Sequence, residues 1–252
     1  MNTIFVIASR EFKSLFLSPL AWIILAVLQF IIAFLFLSQV ETFILLQPKL
    51  ATMEGAPGLT DIVITPLFGN AAIILMLVIP LLTMRLVSEE RRNKTLALLL
   101  SAPISNNAII FGKYLGILGL LILIVFLIVL MPLSLLSGGE LDMGKLAANM
   151  LALILLVMAF TAIGLFMSCV ATHPTIAAFS TFSSLLLLWI LDWTTGFDSQ
   201  HSELFEYLSI LKHFQAIQSG LISSIDVGYF ILFITTFIML SIRRLDNDRL
   251  QK

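Results

Sequence analysis

The most polar stretch of this chain is SEERRNKTLALLLSAPIS, residues 88–105. Its charged side chains are Glu89, Glu90, Arg91, Arg92 and Lys94. Carboxylates and guanidinium groups form strong, charge-assisted hydrogen bonds with groups of opposite charge. Such a cluster could bind the phosphates of lipid headgroups or a charged surface of another protein. The pattern therefore predicts a binding surface for charged groups.

The residues that follow this cluster predict a short amphipathic helix. Leu96, Leu99 and Leu100 are spaced i, i+3 and i+4, which places them on one helical face. Pro103 disfavours the helical conformation of the residue before it, so we expect the helix to end near Ser101. Two interpretations are open: a helix that rests on lipid headgroups, or a helix that docks a cytoplasmic partner. The two adjacent glutamates weigh slightly against plain anionic lipid.

Other chemistry is missing from the sequence. The pairs Gly112-Lys113 and Gly144-Lys145 lack the upstream glycine and the following Ser or Thr of a phosphate-binding loop. The three histidines are scattered rather than set at metal-ligand spacing. We therefore expect no catalytic, cofactor-binding or metal-binding residue on this chain. The chain therefore cannot bind ATP through a P-loop.

The elements that position the polar loop are membrane spans. Of the 252 residues, 60% are hydrophobic and 12% are charged, and the mean hydropathy is +1.08. Soluble domains contain about 25% charged residues. A helix that crosses a bilayer needs about 20 mostly apolar residues. We predict an all-α membrane protein with six spans, at about 20–40, 62–84, 108–136, 146–171, 174–193 and 227–243.

Charged residues stand only at the ends of these spans. Asp226 is the expected N-cap of the sixth span, and Arg243 and Arg244 mark its expected end. Lys113 and Asp192 lie near span ends, where snorkelling or water can reach them. Proton- and ion-coupled carriers usually need an ionisable residue inside the membrane. The pattern therefore makes a stand-alone secondary carrier or channel an alternative hypothesis rather than the leading one.

The basic residues are sorted by side of the membrane. With six spans, the N-terminus, the loop between spans two and three and the C-terminus share one side. That side holds 11 of the 14 Lys and Arg residues. The opposite side holds Lys49, Lys145 and Lys212 and most of the acidic residues. Lysine and arginine are enriched on the cytoplasmic side of membrane proteins. We therefore predict a multi-pass protein with both termini in the cytoplasm.

Residues 1–19 predict a second surface helix on the cytoplasmic side. Its apolar face consists of Phe5, Ala8, Phe12, Leu15 and Phe16. Thr3, Arg10, Lys13 and Ser14 form the opposite, polar face, a pattern typical of an interfacial helix. We favour membrane anchoring as its role. A Gly-x-x-x-Gly pattern at residues 112–116 either permits close approach of a neighbouring helix or arises by chance.

The external segment before the sixth span, residues 194–226, is not simply polar. Leu204, Leu208 and Leu211 fall on one helical face, with Phe205 and Tyr207 beside them. We expect short helices that dip back toward the bilayer, or an interfacial helix without a gating function.

Three segments resemble the ABC-2 type transporter permeases. RLVSEERRNKTLALLLSAPISNNAIIFGKYLG resembles the family's loop between spans two and three. There a charged run leads into a Thr-Leu-x-Leu-Leu segment, a Pro-x-Ser turn and a Gly-Lys pair. The corresponding residues here are Glu89 to Arg92, Thr95-Leu96, Leu98 to Leu100, Pro103, Ser105 and Gly112-Lys113.

The other two segments stand at the ends of the chain. LKHFQAIQSGLISSIDVGYF resembles the family's segment before the last span, and REFKSLFLSPLAWI resembles its N-terminus, especially that of the gliding-motility-type subfamily. The sequence departs from the family at two positions. Many relatives carry glycine before the threonine and glutamate two residues after it, where this chain has Lys94 and Ala97.

The resemblance implies a specific division of labour. Residues 88–104 would be a coupling helix that docks on a separate ATP-binding subunit, present in two copies. That subunit would bind the ATP and Mg²⁺. Residues 20–252 would form the transmembrane domain, which pairs with a second permease chain as a homodimer or heterodimer. The docking residues would be Glu89, Glu90, Arg91, Arg92, Thr95, Leu96, Leu99, Leu100 and Pro103, and the external gate would contain His213, Phe214, Gly220 and Asp226.

The expected function is that of a permease subunit of an ATP-driven exporter in a bacterial inner membrane. The chain itself would not be an enzyme. Its expected partners are membrane lipid and a possible accessory subunit in addition to the ATPase, and no nucleic acid. A third hypothesis is a membrane scaffold that recruits a cytoplasmic protein and transports nothing.

Overall fold

The computed structural model describes residues 3–50, 57–101, 104–137, 141–194 and 209–250. Within these ranges all of the regular secondary structure is helical. A π-helical turn, Thr60–Ile64, precedes α3, and a 3₁₀ turn, Ser134–Ser137, follows α6. The α-helices are α1 Thr3–Leu17, α2 Pro19–Leu50, α3 Thr65–Thr83, α4 Ser88–Arg92, α5 Leu96–Ser101, α6 Asn106–Leu133, α7 Met143–Val170, α8 Pro174–Thr194, α9 Ile210–Gln218 and α10 Ser224–Leu250.

Membrane-length helices dominate the fold. Within the described ranges, five helical segments are long and apolar enough to cross a bilayer: Pro19–Lys49, Thr60–Arg92, Asn106–Leu136, Met143–Val170 and Ser224–Arg249. Helix α8 coincides with the fifth predicted span, but its described apolar part, Pro174–Ile190, is shorter than the others. The prediction of an all-α membrane protein is confirmed. The count of six spans stays a prediction.

The last helix starts earlier than predicted and extends beyond the predicted span. Helix α10 begins at Ser224, because the Ser223 hydroxyl accepts a hydrogen bond from the backbone N–H of Ile225 at 3.2 Å. The prediction that Asp226 is the N-cap is therefore wrong. The helix also continues past Arg243 and Arg244 to Leu250, so these arginines do not end the helix, and their place at the end of the membrane span stays a prediction. Arginine is a good helix former and does not itself stop a helix.

Helix α7 lies at the centre of the bundle. It contacts α3, α6, α8, α9 and α10, and its apolar part is the most buried of the spans. Leu153, Leu156, Phe160 and Ile163 on this helix are inaccessible to solvent. Helix α2 is the least buried span, and much of its surface is available to lipid or to another subunit. The packing therefore brings the ends of the other helices together around the two ends of α7.

Candidate functional site

Helix α1 lies directly against the start of α6. A Cβ atom added at Gly112 would stand 2.6 Å from Cβ of Ile7, and one added at Gly116 would stand 2.6 Å from Cβ of Glu11. Any larger residue at these two positions would push α1 away. The glycines of the Gly-x-x-x-Gly pattern thus permit close helix approach, which is one of the two interpretations that the sequence left open. Residues 3–17 are consequently part of the packed bundle, and their role as a lipid anchor stays a prediction.

A buried lysine joins α1 and α4 to α6. The Nζ atom of Lys113 contacts Oε1 of Glu11 at 2.9 Å and Oε1 of Glu90 at 2.7 Å. Lys113 is only 3% exposed, so the expectation that it reaches water is wrong. Helices α1 and α4 cover this side chain, and a charge that leaves water needs partners of opposite sign. We call Glu11, Glu90 and Lys113 the lysine triad.

Arg91 joins the same loop to the opposite side of the bundle. One guanidinium nitrogen donates to the backbone carbonyl of Cys169 at 2.7 Å, at the end of α7, and forms an ion pair with Asp248 near the end of α10. Arg244 stands 3.7 Å from the other oxygen of the Asp248 carboxylate. We call Arg91 and Asp248 the arginine bridge.

A buried serine fixes the backbone just before α4. The hydroxyl oxygen of Ser168 accepts hydrogen bonds from the N–H groups of Val87 at 3.0 Å and Ser88 at 3.2 Å. The same hydroxyl lies 3.1 Å from the carbonyl oxygen of Met84, to which it donates. Ser168 is fully buried on α7. The turn between α3 and α4 is therefore bonded to the central helix of the protein.

The outer surface of the loop is polar and accessible. Glu89 and Arg92 form an ion pair at 3.7 Å, with side chains 39% and 50% exposed. Solvent screens such pairs, and they add little to stability. Thr95 is exposed, and Leu98 on α5 is 72% exposed. This outer surface can contact another protein without disturbing the triad or the bridge.

Lys94 adopts a left-handed backbone conformation between α4 and α5. Its φ angle is +59°, a value that favours glycine because a Cβ atom is crowded there. The family resemblance expects glycine at this position. The turn at Lys94 also divides the predicted single helix into two short ones, Ser88–Arg92 and Leu96–Ser101.

The predicted docking residues are distributed over both sides of the loop. Arg92 and Thr95 are exposed, and Glu89, which is half-buried, pairs with Arg92 on the outer side. Glu90, Arg91, Leu96 and Leu99 contact the helical bundle. Pro103 and the side chain of Leu100 lie outside the described part of the chain.

Sequence reasoning missed the partners of these residues. The sequence pattern does not point to Glu11, Ser168 or Asp248, and it predicts that the charge of Lys113 reaches water. One signal was available: a lysine in an apolar span, beside glycines that can bring a second helix close. The partners themselves could not be identified, because they are far away along the chain.

The predicted external gate residues are brought together at the other end of the bundle. Nδ1 of His213 lies 2.6 Å from Oδ1 of Asp226, and both side chains are largely buried. The His213 ring stacks on the Tyr229 ring with centroids 4.2 Å apart. Phe214 is 1% exposed and packs in the core. Gly220 has a φ angle of +92°, which a residue with a side chain would adopt only with strain.

Helix α9 closes this end over the central helix. The carbonyl oxygen of Gln218 accepts a hydrogen bond from Nδ2 of Asn149 on α7 at 3.2 Å, and the Gln218 amide donates to the carbonyl of Thr65 at 3.4 Å. Leu211 is buried on the face that meets the bundle. Leu204, Phe205, Tyr207, Leu208 and the side chain of Asp192 lie outside the described residues.

Comparison with known families identifies the chain. A family described as ABC-2 family transporter protein matches residues 5–248, which is nearly the whole chain. The match is at the level of the family and does not distinguish the gliding-motility-type subfamily. None of the curated proteins with which the chain was compared matches it. Members of the family are membrane components rather than ATPases, and the family implies association with an ATP-binding subunit. The chain belongs to the ABC-2 transporter family and is a membrane-spanning permease subunit of an ABC transporter.

Proposed function

We propose that this permease is the membrane subunit of an ATP-driven exporter, and that the loop formed by α4 and α5 couples it to a separate ATP-binding subunit. The observation that carries the proposal is the double attachment of α4. Glu90 bonds to Lys113 at 2.7 Å on one side, and Arg91 bonds to Asp248 and to the Cys169 carbonyl on the other. A force applied to the loop would therefore reach α6 through Lys113, and α7 and α10 through Arg91.

The loop has one surface for docking and one for transmission. Glu89, Arg92, Thr95 and Leu98 face outward and would contact the ATPase. Their mixed charges and one exposed leucine suit a protein surface better than a plain anionic membrane, which would repel Glu89. Glu90, on the inner side, belongs to the lysine triad and would transmit motion rather than bind the partner.

Movement would pass through the bundle by these polar contacts. When two ATP-binding subunits close on ATP and Mg²⁺, they would displace α4. The lysine triad would carry this displacement to α1 and α6, and the arginine bridge would carry it to α7 and α10. A packed core transmits strain because it deforms little. Helix α9 and the His213–Asp226 pair lie at the far end of α10, where we place the external gate.

The assembly would contain two ATPase subunits and a second permease chain, identical or different. It would sit in a bacterial inner membrane with both termini in the cytoplasm, as the sorting of the basic residues supports. Surrounding lipid would cover the exposed apolar residues of the spans, among them Phe30 and Phe34 on α2. An accessory subunit is compatible with this arrangement, and nucleic acid has no place in it.

The test compares the two sides of the loop. The tagged protein is purified from its native membrane in mild detergent, and co-purifying proteins are identified by mass spectrometry. We expect a stoichiometric P-loop ATPase with the wild type. The outward variant Glu89→Arg/Arg92→Glu should lose it, whereas Glu90→Gln should retain it but fail to stimulate its ATP hydrolysis. Glu41→Gln, an exposed position on α2 far along the chain from the loop, serves as the neutral control.

Three outcomes would count against the proposal. A wild type that purifies alone, stable in several detergents, would favour a stand-alone carrier or channel. An ATPase that co-purifies but is never stimulated by any cargo would favour a scaffold. Unchanged complex yield in the outward variant would remove the loop from the docking surface.

A further inference from the structure

We propose that the groove between α6 and α10 on the membrane-facing surface binds one anionic phospholipid of the cytoplasmic leaflet. The groove has a volume of about 340 Å³ and lies at the end of the two helices near the polar loop. Phe111 on α6 and Ile238, Met239 and Ile242 on α10 form its apolar walls. This inference depends on the membrane orientation proposed above, but it does not depend on an ATPase.

The length of the groove fits one acyl chain. Its lining on α10 runs from Arg243 to Thr235. At about 1.5 Å per helical residue this stretch covers about 12 Å. One leaflet of the hydrocarbon core is about 15 Å thick, which is half of the whole core. An acyl chain whose headgroup lies at Arg243 would therefore follow the groove almost to the middle of the bilayer.

The polar end of the groove has the chemistry of a phosphate site. Asn107, in the first turn of α6, and Arg243 line it, and both are exposed. Within the described residues Arg243 forms no ion pair. The acidic residues nearby along α10 are engaged elsewhere: Asp246 accepts a hydrogen bond from Asn106 at 2.6 Å, and Asp248 belongs to the arginine bridge. A guanidinium group binds phosphate through two parallel hydrogen bonds, and the amide adds further donors.

Charge also argues against a second copy of the chain as the occupant. A two-fold interface places the same patch on both subunits. If the groove lay on the two-fold axis, Arg243 of one subunit would approach Arg243 of the other, and the two cations would repel. An anionic headgroup would instead attract Arg243, and the negative surface of the cytoplasmic leaflet attracts basic residues in general.

Native mass spectrometry can measure the bound lipid directly. The detergent-purified protein is incubated with phosphatidylglycerol or with phosphatidylcholine of the same acyl chains. We expect the wild type to retain one phosphatidylglycerol in preference to phosphatidylcholine. Arg243→Gln should lower phosphatidylglycerol retention at least about fivefold, the factor that corresponds to one basic residue at an anionic surface. Arg10→Gln, another exposed arginine on the predicted cytoplasmic side, should leave it unchanged.

A second variant tests the apolar part of the groove. Met239→Trp should fill it and remove both lipids, whereas Leu232→Trp, at an exposed position of α10 outside the groove, should have no effect. Equal retention of the two lipids by the wild type would overturn the proposal, as would unchanged retention in Arg243→Gln. The proposal also fails if Met239→Trp dissociates a permease dimer while bound lipid is unaffected, because the groove would then be a subunit interface.

Discussion

Replacing Lys113 by methionine should lower the free energy of unfolding far more than the same replacement at the exposed Lys13. The ammonium group contacts Glu11 and Glu90 at 2.9 and 2.7 Å, and its side chain is 4% exposed. Methionine fills a similar volume without the charge. The two carboxylates would then face each other across a site from which their shared cation has gone.

The size of the effect follows from the burial of the three groups. Removing one partner of a buried ion pair costs about 3–5 kcal/mol. The Glu11 and Glu90 side chains are 23% and 29% exposed, so water can return to them and the cost should lie near the lower limit. We therefore expect a loss of about 3 kcal/mol in the free energy of unfolding. For a chain of this size that corresponds to a fall in Tm of about 6–12 °C.

Thermal unfolding in one detergent, followed by far-UV circular dichroism, measures this fall. Lys13→Met is the matched control, since Lys13 is exposed on α1 and exposed substitutions usually change stability by less than about 0.5 kcal/mol. Adding Glu11→Gln and Glu90→Gln to Lys113→Met should restore part of the stability, because a neutral set of side chains no longer repels. If Lys113→Met unfolds at the same temperature as Lys13→Met, the buried ion triad does not exist as described.

Three further substitutions test the packing around α7 and the external end, each by the shift in Tm under the same conditions. Gly164→Ala would place a Cβ atom 2.2 Å from Oγ1 of the buried Thr83, so we expect α3 and α7 to separate at a cost of about 1–3 kcal/mol. Ser168→Ala leaves two buried backbone N–H groups without their acceptor and should cost about 2 kcal/mol, whereas Ser168→Thr keeps the hydroxyl and should cost less. Gly220→Ala forces a residue with a side chain to a φ angle of +92° and should cost about 1–2 kcal/mol.

Each of these three predictions has a result that would contradict it. An unchanged Tm in Gly164→Ala would mean that the two helices are farther apart than the structure places them. Equal effects of alanine and threonine at position 168 would mean that the hydroxyl does not accept from the loop. Gly220→Asn should be milder than Gly220→Ala, because asparagine tolerates positive φ better, and the reverse order would exclude backbone strain as the cause.

The sequence by itself determined the class of protein, the approximate positions of the long apolar helices and the position of the polar loop. These features depend on local composition: a window of about 20 apolar residues is visible without knowledge of any neighbour. Lys113 stood out as a charge beside the apolar core of a span, but local composition could not say whether it reaches water. Helix ends were less certain, because Asp226 and Ser223 are both good caps and only the geometry of the turn selects between them.

Only the tertiary structure decided how the charges of the loop are used. Glu89 and Glu90 are adjacent and chemically identical, yet Glu89 faces outward and Glu90 is bonded to Lys113. The partners of the loop lie at both ends of the chain, with Glu11 on α1 and Asp248 on α10. Which side chain meets which depends on how α1, α6, α7 and α10 pack around the loop. That packing is a property of the whole bundle, so no pattern within a single segment can encode it.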